Sequence, residues 1–262
     1  MQIRKAERYK AKLRLGLAGP SGSGKTMSAL RMAKGLGGKV CMIDTERGSG
    51  DLYADLFDYS IISLTSPYTP KYYTDAIEAA ENARYDVIII DSLSHAWADE
   101  GGLLDQADKL TAANRGNSFT VWRDLTPQHR SLVGAMLNSS SHIIATVRSK
   151  QAYELEDYVD AKGNKKKQPV KLGLAPVQRE GMEYEFTVFM DIAQNHYAKV
   201  SKDRTNMFKD EVFMIDEKLG ERIMEWLNVG KDVLLDKNAQ KQRIAHLLKE
   251  RGIEPKTKKE YE

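Results

Sequence analysis

The stretch GPSGSGKT, Gly19 to Thr26, constrains the fold of this chain more than any other part of its sequence. It matches the pattern G-x-x-x-x-G-K-[ST] at every position, follows a segment typical of a β-strand and opens a helical pattern. Glycines in such a turn let backbone N–H groups surround phosphate oxygens, and the helix N-terminus adds its positive dipole end. We therefore predict a nucleotide-binding turn between a strand and a helix.

The residue types in this turn indicate the ligand. Lys25 offers a positive charge to the β- and γ-phosphates, and the hydroxyl of Thr26 is a ligand for Mg²⁺. The predicted ligand is thus ATP with Mg²⁺. The predicted contacts to it are Gly19, Pro20, Ser21, Gly22, Ser23, Gly24, Lys25 and Thr26.

Two acidic residues complete the predicted site. Asp91 ends the apolar run VIIID, so it is expected at the carboxyl end of a buried strand, where it would hold Mg²⁺ together with Thr26. Glu46 follows an earlier strand, and an acid there can polarise a water that attacks the γ-phosphate. If the chain stays extended, Asp44 and Glu46 share a face. The alternative for Glu46 is a solvated loop acid.

Strand and helix patterns alternate along the first half of the chain. This rhythm predicts an α/β fold with a mostly parallel sheet wrapped by helices, and adjacent strands after about residue 185 predict an antiparallel extension at one edge. Predicted strands are 12–19, 39–46, 59–64, 85–92, 141–149, 186–194 and 196–204. Predicted helices are 25–37, 73–84, 103–113 and one that begins at Thr126 and Pro127.

Composition sets further limits on a chain of 262 residues. With 41% hydrophobic residues it should fold, and its single cysteine, Cys41, allows no disulfide framework. No leader pattern or long apolar run is evident, so we expect a cytoplasmic protein without a membrane partner. The expected segments are a basic N-terminal arm over 1–11, an ATPase core over 12–216 and a helical appendage over 217–262. The basic residues counted with the arm, for which a solvated position is expected, are Arg4, Lys5, Arg8, Lys10, Lys12 and Arg14.

A lysine-rich segment follows the strand at 141–149. Residues 151–176 read as a β-hairpin inserted in the core, with Gly163 and Asn164 at its tip and Tyr153 and Tyr158 in its stem. Its charges suit the phosphates of single-stranded nucleic acid, and its aromatic residues suit base stacking. A solvated hairpin is the alternative. The candidate contacts are Lys162, Lys165, Lys166, Lys167 and Lys171. The net charge of only +3 adds no support for a polyanionic partner.

Together, GPSGSGKT, IDTERG at the next strand and IDSLSHAW at a later one resemble the RecA-like P-loop ATPases over residues 12–205. The series is most similar to phage-encoded ATPases of the Sak type. That resemblance implies that Glu46 is the general base and that ATP lies between subunits of a homo-oligomeric ring or filament. It also implies action on single-stranded DNA in recombination or annealing, possible work with a single-strand-binding protein, and a host-cytoplasmic location if the chain is phage-encoded.

Two features of the resemblance concern basic residues. RecA proteins usually carry a γ-phosphate-sensing glutamine where this chain has Thr146, Arg148 and Gln151, and the choice among these stays open. Arg148 could reach phosphate oxygens or be an ordinary surface arginine. VSKDRTN resembles the K-x-R finger of hexameric helicases, so Lys202 and Arg204 would act on ATP of a neighbouring subunit. Charge that keeps an edge strand soluble is the alternative.

Two other function classes remain compatible with the sequence. One is an ATP-dependent switch or assembly factor that binds a protein partner without DNA. The other is a small-molecule kinase, which would need an arginine-rich lid; the hairpin instead carries lysines, and the position of Glu46 favours water as the nucleophile.

Overall fold

The computed structural model of the chain describes residues 3, 5–113, 118–159, 165–208 and 211–232, and within them nine strands form one sheet. The strands are β1 (Arg14–Gly19), β2 (Val40–Asp44), β3 (Ser60–Ser63), β4 (Val87–Asp91), β5 (His142–Val159), β6 (Lys165–Pro176), β7 (Val188–Ile192), β8 (Tyr197–Asp203) and β9 (Val212–Met214). The helices are α1 (Lys25–Leu36), α2 (Pro70–Asn82), α3 (His95–Ala98), α4 (Leu103–Ala113), α5 (Ser118–Asn138) and α6 (Glu217–Leu227), with short 3₁₀ helices at Ser49–Tyr53 and Met182–Glu185.

The sheet is parallel at its centre and antiparallel at one edge. Its order is β3-β2-β4-β5-β1-β7-β8-β9, and each neighbouring pair from β3 to β7 is parallel. Strands β8 and β9 add to β7 in antiparallel fashion. The predicted α/β class, mostly parallel sheet and antiparallel edge are therefore confirmed.

Both faces of the central strands are buried, which explains their nearly continuous apolar sequences. In β4, Ile89 packs into the core on the α1 and α6 side, while Ile88 and Ile90 pack into the core on the α2 and α5 side. Alternation along each strand thus divides the apolar side chains between two helical layers. Packing on both faces holds the central strands in register, so the positions of their carboxyl ends are fixed. The candidate site lies at those ends.

Helices α1 and α6 cross at two glycines. A Cβ atom added at Gly35 would lie 2.0 Å from the backbone oxygen of Glu217 and 2.8 Å from the Cα atom of Gly220. Any larger side chain at Gly35 would therefore force the helices apart. Both helices also contribute buried side chains such as Leu36 and Ile223 to the same core.

Helix α5 begins earlier than its sequence pattern predicts. The prediction of a start at Thr126 and Pro127 is wrong, because α5 extends from Ser118 to Asn138 with Pro127 inside it. Val121 and Leu125, which precede the proline, are buried against α4. Pro127 cannot donate a backbone hydrogen bond within the helix, and the packing of the residues before it against α4 offsets that loss.

Strand β5 is longer than the predicted strand at 141–149. It continues to Val159 and pairs with β6 in an antiparallel ribbon from Ser149 opposite Pro176 to Val159 opposite Lys165, with one register shift next to Ala152. The described strands thus pair in the antiparallel manner of the two arms of a hairpin. Its predicted tip at Gly163 and Asn164 lies outside the described residues.

Arg14 differs from the other basic residues near the N-terminus. The sequence groups it with a basic arm that also contains Arg4, Lys5, Arg8, Lys10 and Lys12, but its side chain is only 7% exposed in β1. Its guanidinium donates to the carbonyl oxygens of Leu137, Ser139 and Ser141 at the end of α5. Burial lowers the pKa of Arg14 to about 10. Arg14 is thus a structural cation that caps a helix C-terminus.

The chain divides into two compact units, Lys12–Leu227 and a second one formed by Met1–Ala11 with Asn228–Glu262. The first includes α6, which the sequence-based division at residue 216 assigns to the appendage. In the second, the N–H of Lys10 donates to the oxygen of Lys231 and the N–H of Lys231 to that of Arg8. No helix among the described residues is long and apolar enough to cross a membrane.

Candidate functional site

The carboxyl ends of four parallel strands meet at one edge of the sheet. Gly19 at the end of β1 is in register with Arg148 of β5, and Asp44 at the end of β2 is in register with Asp91 of β4. Ligands of open α/β sheets bind at this edge. The strands therefore bring together residues that lie far apart in the sequence.

The turn from β1 to α1 has the backbone of an anion cradle. Gly22 and Gly24 have φ angles of 75° and 85°, a left-handed region that favours glycine. Among the described residues, no protein acceptor faces the backbone N–H groups of Gly22, Gly24, Lys25 or Thr26. These groups can therefore donate to a phosphate at the N-terminus of α1.

Lys25 lies over its own turn. Its Nζ atom donates to the carbonyl oxygen of Pro20 at 2.8 Å. Burial lowers the pKa of Lys25, and the charges of Asp91 and Glu46 act in the opposite direction. The ammonium group is thus partly desolvated near two acids, where an anionic phosphate offers it a stronger partner than a carbonyl does.

Thr26 and Asp91, the two predicted Mg²⁺ ligands, lie in direct contact. The Thr26 hydroxyl donates to Asp91 Oδ2 at 2.6 Å, and the Thr146 hydroxyl donates to Asp91 Oδ1. Asp91 is only 3% exposed, and burial raises its pKa while the two hydroxyls oppose this effect. A buried carboxylate beside a hydroxyl at a phosphate-binding turn is a suitable donor pair for Mg²⁺.

The same oxygens do not form a complete metal cage. No cluster of three or more His, Cys, Asp or Glu side chains suited to a metal occurs in the described part of the chain. Mg²⁺ usually keeps several waters and takes one or two protein ligands together with substrate phosphates. Thr26 and Asp91 fit that mode of binding, in which phosphate and water oxygens complete the coordination shell.

Asp44 shapes the loop that carries Glu46. Its carboxylate accepts hydrogen bonds from the N–H groups of Glu46 at 2.7 Å and Gly48 at 2.9 Å. Strand β2 ends at Asp44, so the condition for a shared face of the two acids, a strand that continues through Glu46, is not met. Asp44 instead acts as the acceptor that turns the backbone there.

Glu46 forms a two-point ion pair with Arg148. Arg148 Nε donates to Oε1 at 3.0 Å and Nη2 donates to Oε2 at 2.6 Å. Burial acts to raise the pKa of Glu46, but the hydrogen bonds and charge of Arg148 outweigh it and hold that pKa below its ordinary value. Glu46 is therefore not simply a solvated loop acid, and Arg148 is not simply an unpaired surface arginine.

A buried polar group beneath Glu46 was not predicted from the sequence. His95 Nε2 lies 3.8 Å from Glu46 Oε1, its Nδ1 lies 2.5 Å from the Thr45 hydroxyl, and its ring stacks on Tyr68 at 4.9 Å. Burial lowers the pKa of His95. The segment IDSLSHAW, which contains His95, was singled out from the sequence for its aspartate. Nothing in that segment indicates that His95 contacts Thr45 and Glu46 in the loop after β2, because only the fold brings them together.

His196 is a second residue that sequence reasoning missed. It lies in the turn between β7 and β8, and its Nδ1 is 3.0 Å from the carbonyl oxygen of Ser23 in the phosphate-binding turn. A Cβ atom added at Gly24 would lie 3.1 Å from the same Nδ1. No spacing in the sequence links His196 to that turn.

Lys202 and Arg204 lie at the end of β8. Lys202 Nζ donates to the carbonyl oxygens of Glu183 and Tyr184, and Arg204 Nη2 donates to that of Tyr184 at 2.7 Å. The shared acceptor means that both side chains lie on one side of the strand, as alternation predicts. Within the described residues, neither side chain hydrogen-bonds to Gly19–Thr26.

Four of the five candidate polymer-binding lysines lie in the β5–β6 ribbon. Lys165, Lys166, Lys167 and Lys171 belong to β6, whose backbone is described, whereas Lys162 lies outside the described residues. Backbone register sets Tyr158 opposite Lys166 and Tyr153 opposite Lys171. Gln151, one alternative for the phosphate sensor, donates to the oxygen of Gly173 in the same ribbon.

The sheet order, the turn before α1 and the strand-end acids define a RecA-like P-loop α/β fold. Residues 11–239 match the family described as "AAA domain", and the chain belongs to that family. Membership identifies a P-loop ATPase family and indicates nucleotide binding. A comparison with curated proteins finds no match.

Proposed function

We propose that this protein binds and hydrolyses Mg-ATP, assembles into homo-oligomers and acts on single-stranded DNA in phage recombination or annealing. One observation carries the enzymatic part of the proposal. The same sheet edge joins Lys25 and Thr26 at the phosphate-binding turn to Asp91 and Glu46, with Thr26 and Asp91 in direct hydrogen-bond contact. A cation, two hard oxygen ligands and a further carboxylate suit phosphoryl transfer to water.

In this proposal each side chain has a separate task. Lys25 and the backbone N–H groups of Gly22, Gly24, Lys25 and Thr26 would hold the phosphates, and Thr26 with Asp91 would hold Mg²⁺, which neutralises charge on the phosphate oxygens. Glu46 orients a water and accepts its proton. The water oxygen forms a bond to the γ-phosphorus as the bond to the β–γ bridging oxygen breaks, giving ADP and phosphate.

Arg148 links nucleotide binding to this base. Both Glu46 oxygens accept a hydrogen bond from Arg148, which leaves fewer lone pairs for a water and makes the carboxylate a weaker base. The γ-phosphate offers the guanidinium an alternative anionic partner. ATP would thus free the base that activates the attacking water, which favours Arg148 over Thr146 as the sensor because Thr146 is engaged with Asp91.

Oligomerisation enters the proposal through Lys202 and Arg204. Within the described residues, their hydrogen bonds are to the main-chain carbonyl oxygens of Glu183 and Tyr184, and Lys202 Nζ also lies 5.8 Å from the centre of the Tyr184 ring. A phosphate would be a stronger partner for either cation than these neutral groups. ATP bound to an adjacent subunit would supply the charge that both lack. Cations delivered in this way stabilise the transition state for phosphoryl transfer.

The DNA-binding part rests on the β5–β6 ribbon. Four of the five candidate lysines lie on β6, and two of them are in register with tyrosines of β5. Phosphate contacts together with aromatic residues are typical of single-strand binding. Replacing Lys165, Lys166 and Lys167 by alanine should weaken single-strand binding. The slope of log affinity against log salt concentration should also become shallower, by about 0.7 for each phosphate that the variant no longer neutralises.

ATP turnover measured with and without single-stranded DNA, together with mass in solution with ATP, tests the proposal. We expect turnover to rise with DNA, and Lys25→Ala to abolish it. A protein that binds ATP, hydrolyses it slowly and ignores every nucleic acid would contradict the DNA role. A stable complex with another protein under those conditions would favour the switch or assembly factor.

The recombination role and the phage context rest on the similarity to Sak-type ATPases. They imply work in the host cytoplasm, and a single-strand-binding protein is the expected second partner. Annealing of complementary DNA strands, followed with and without ATP and with the strands coated by such a protein, checks this role. If DNA stimulates turnover but no annealing or strand pairing occurs, the proposed ATPase activity stands and the proposed recombination role is refuted.

A further inference from the structure

His196 reaches the phosphate-binding turn from a distant part of the chain. It ends the turn between β7 and β8, where its N–H donates to the oxygen of Ala193 at 2.9 Å and its φ angle is 69°. A left-handed φ is uncommon for a residue other than glycine. This backbone directs the imidazole to the carbonyl oxygen of Ser23, 3.0 Å from Nδ1.

The contact defines which imidazole nitrogen carries a proton. A carbonyl oxygen only accepts hydrogen bonds, so Nδ1 of His196 must be the donor. The ring therefore fixes the direction of the Ser23 carbonyl group. The Ser23 side chain gives that peptide no such anchor, because its buried hydroxyl has no hydrogen-bond partner within the described residues.

Fixing this carbonyl also fixes the next N–H. The peptide bond between Ser23 and Gly24 is trans, so its C=O and N–H groups point in opposite directions. With the Ser23 oxygen held on the side of His196, the Gly24 N–H points away from the ring. That N–H lies in the stretch GPSGSGKT and has no acceptor among the described residues.

We propose that His196 is a positioning residue for phosphate binding, which orients the Ser23–Gly24 peptide so that the Gly24 N–H faces the phosphates of a bound nucleotide. The inference rests on the proposed nucleotide-binding function and adds a residue from outside the turn itself. Glycine at position 24 has the freedom to let this peptide rotate, and His196 restricts that rotation before the ligand arrives.

Two substitutions separate the donor from the backbone conformation. His196→Asn keeps a side-chain N–H at the place of Nδ1, and asparagine tolerates a left-handed φ. His196→Gly removes the ring, and glycine adopts the same φ without strain. Calorimetry with Mg-ADP and with inorganic pyrophosphate measures binding, and thermal unfolding without ligand shows whether each variant folds.

We expect His196→Gly to weaken binding of both ligands by roughly five- to tenfold, as for the loss of one hydrogen bond. His196→Asn should bind both within about twofold of the unsubstituted protein. Unchanged pyrophosphate affinity in a folded His196→Gly protein would overturn the proposal. Loss of ADP binding alone would do so too, because it would mean that the ring contacts the nucleoside.

These outcomes differ from a failure of the proposed function. If the unsubstituted protein binds neither Mg-ADP nor pyrophosphate, the nucleotide-binding proposal itself fails and the inference about His196 fails with it. If the unsubstituted protein binds both and all variants bind equally, only the inference is refuted. If His196→Gly fails to fold, His196→Ala takes its place in the comparison. Equal losses of affinity in His196→Asn and a folded His196→Ala would then refute the inference about His196.

Discussion

Arg148 holds both carboxylate oxygens of Glu46, with N–O distances of 3.0 and 2.6 Å, and so joins the end of β5 to the loop after β2. The pair connects two strands that are separated in the sheet by β4. Glu46 therefore has a charged partner before any nucleotide binds.

Replacing Glu46 by glutamine should preserve ATP binding and remove turnover. The amide keeps the size of the side chain but cannot accept a proton from water, and general-base catalysis contributes about 10²–10⁴-fold. Single-turnover ATP hydrolysis and nucleotide affinity, measured on the same sample, check this. Asp51→Asn, in the 3₁₀ helix after Glu46, is the matched control. Normal turnover in Glu46→Gln would show that the base lies elsewhere.

Replacing Arg148 by glutamine should move the acid limb of the pH–rate profile to higher pH. Arg148 lowers the pKa of Glu46, so its removal leaves the raising effect of burial less opposed and Glu46 becomes protonated at a higher pH. Hydrolysis measured across pH in both proteins tests the direction. Arg123→Gln provides the control, since that side chain is 81% exposed. An acid limb that stays in place would contradict the assignment of Glu46.

Replacing Arg204 by alanine should leave ATP binding intact and reduce turnover by about 10³–10⁵-fold if this arginine acts as a finger. Mixing this variant with Lys25→Ala should partly restore activity, because each subunit supplies what the other lacks. Lys199→Ala, an exposed lysine on the same strand, is the control. Intact mixed oligomers without any recovered activity would rule out a finger that acts between subunits.

Replacing Gly35 by alanine should destabilise the protein by about 1–3 kcal/mol, because the new Cβ would overlap the backbone of α6. Gly134→Ala in α5 is the opposite case, since its Cβ would meet no heavy atom closer than 4.0 Å. There the loss of glycine flexibility should stabilise by roughly 0.5–1 kcal/mol. Urea unfolding of both variants gives the comparison. Equal effects would refute the close contact at Gly35.

The mostly parallel sheet covered by helices could be predicted because continuous apolar runs such as Val87–Asp91 need two covered faces. The start of α5 could not, since Pro127 is a strong local signal and only contacts with α4 outweigh it. Arg14 was misjudged for a similar reason. Its charge suggests a solvated arm, whereas its acceptors at the end of α5 are brought to it by the fold.

The site shows the same division between local and distant signals. Lys25, Thr26 and Asp91 are recognisable because their spacing and strand context are local features of the sequence. The contacts of His95 with Glu46 and of His196 with Ser23 join segments that no sequence pattern relates. The Glu46–Arg148 pair falls between these cases, because both residues were named but their direct contact was not predicted.

Strand β5 runs without interruption from the middle of the sheet, past Arg148, into the β5–β6 ribbon. Since a ribbon of this kind repeats every two residues, it can be shortened by two residues in each strand without changing which side the remaining residues face. The length of the ribbon can therefore change without moving Arg148. Ribbon length could be altered in steps of two residues in each strand, while the position of Arg148 in the sheet stays the same.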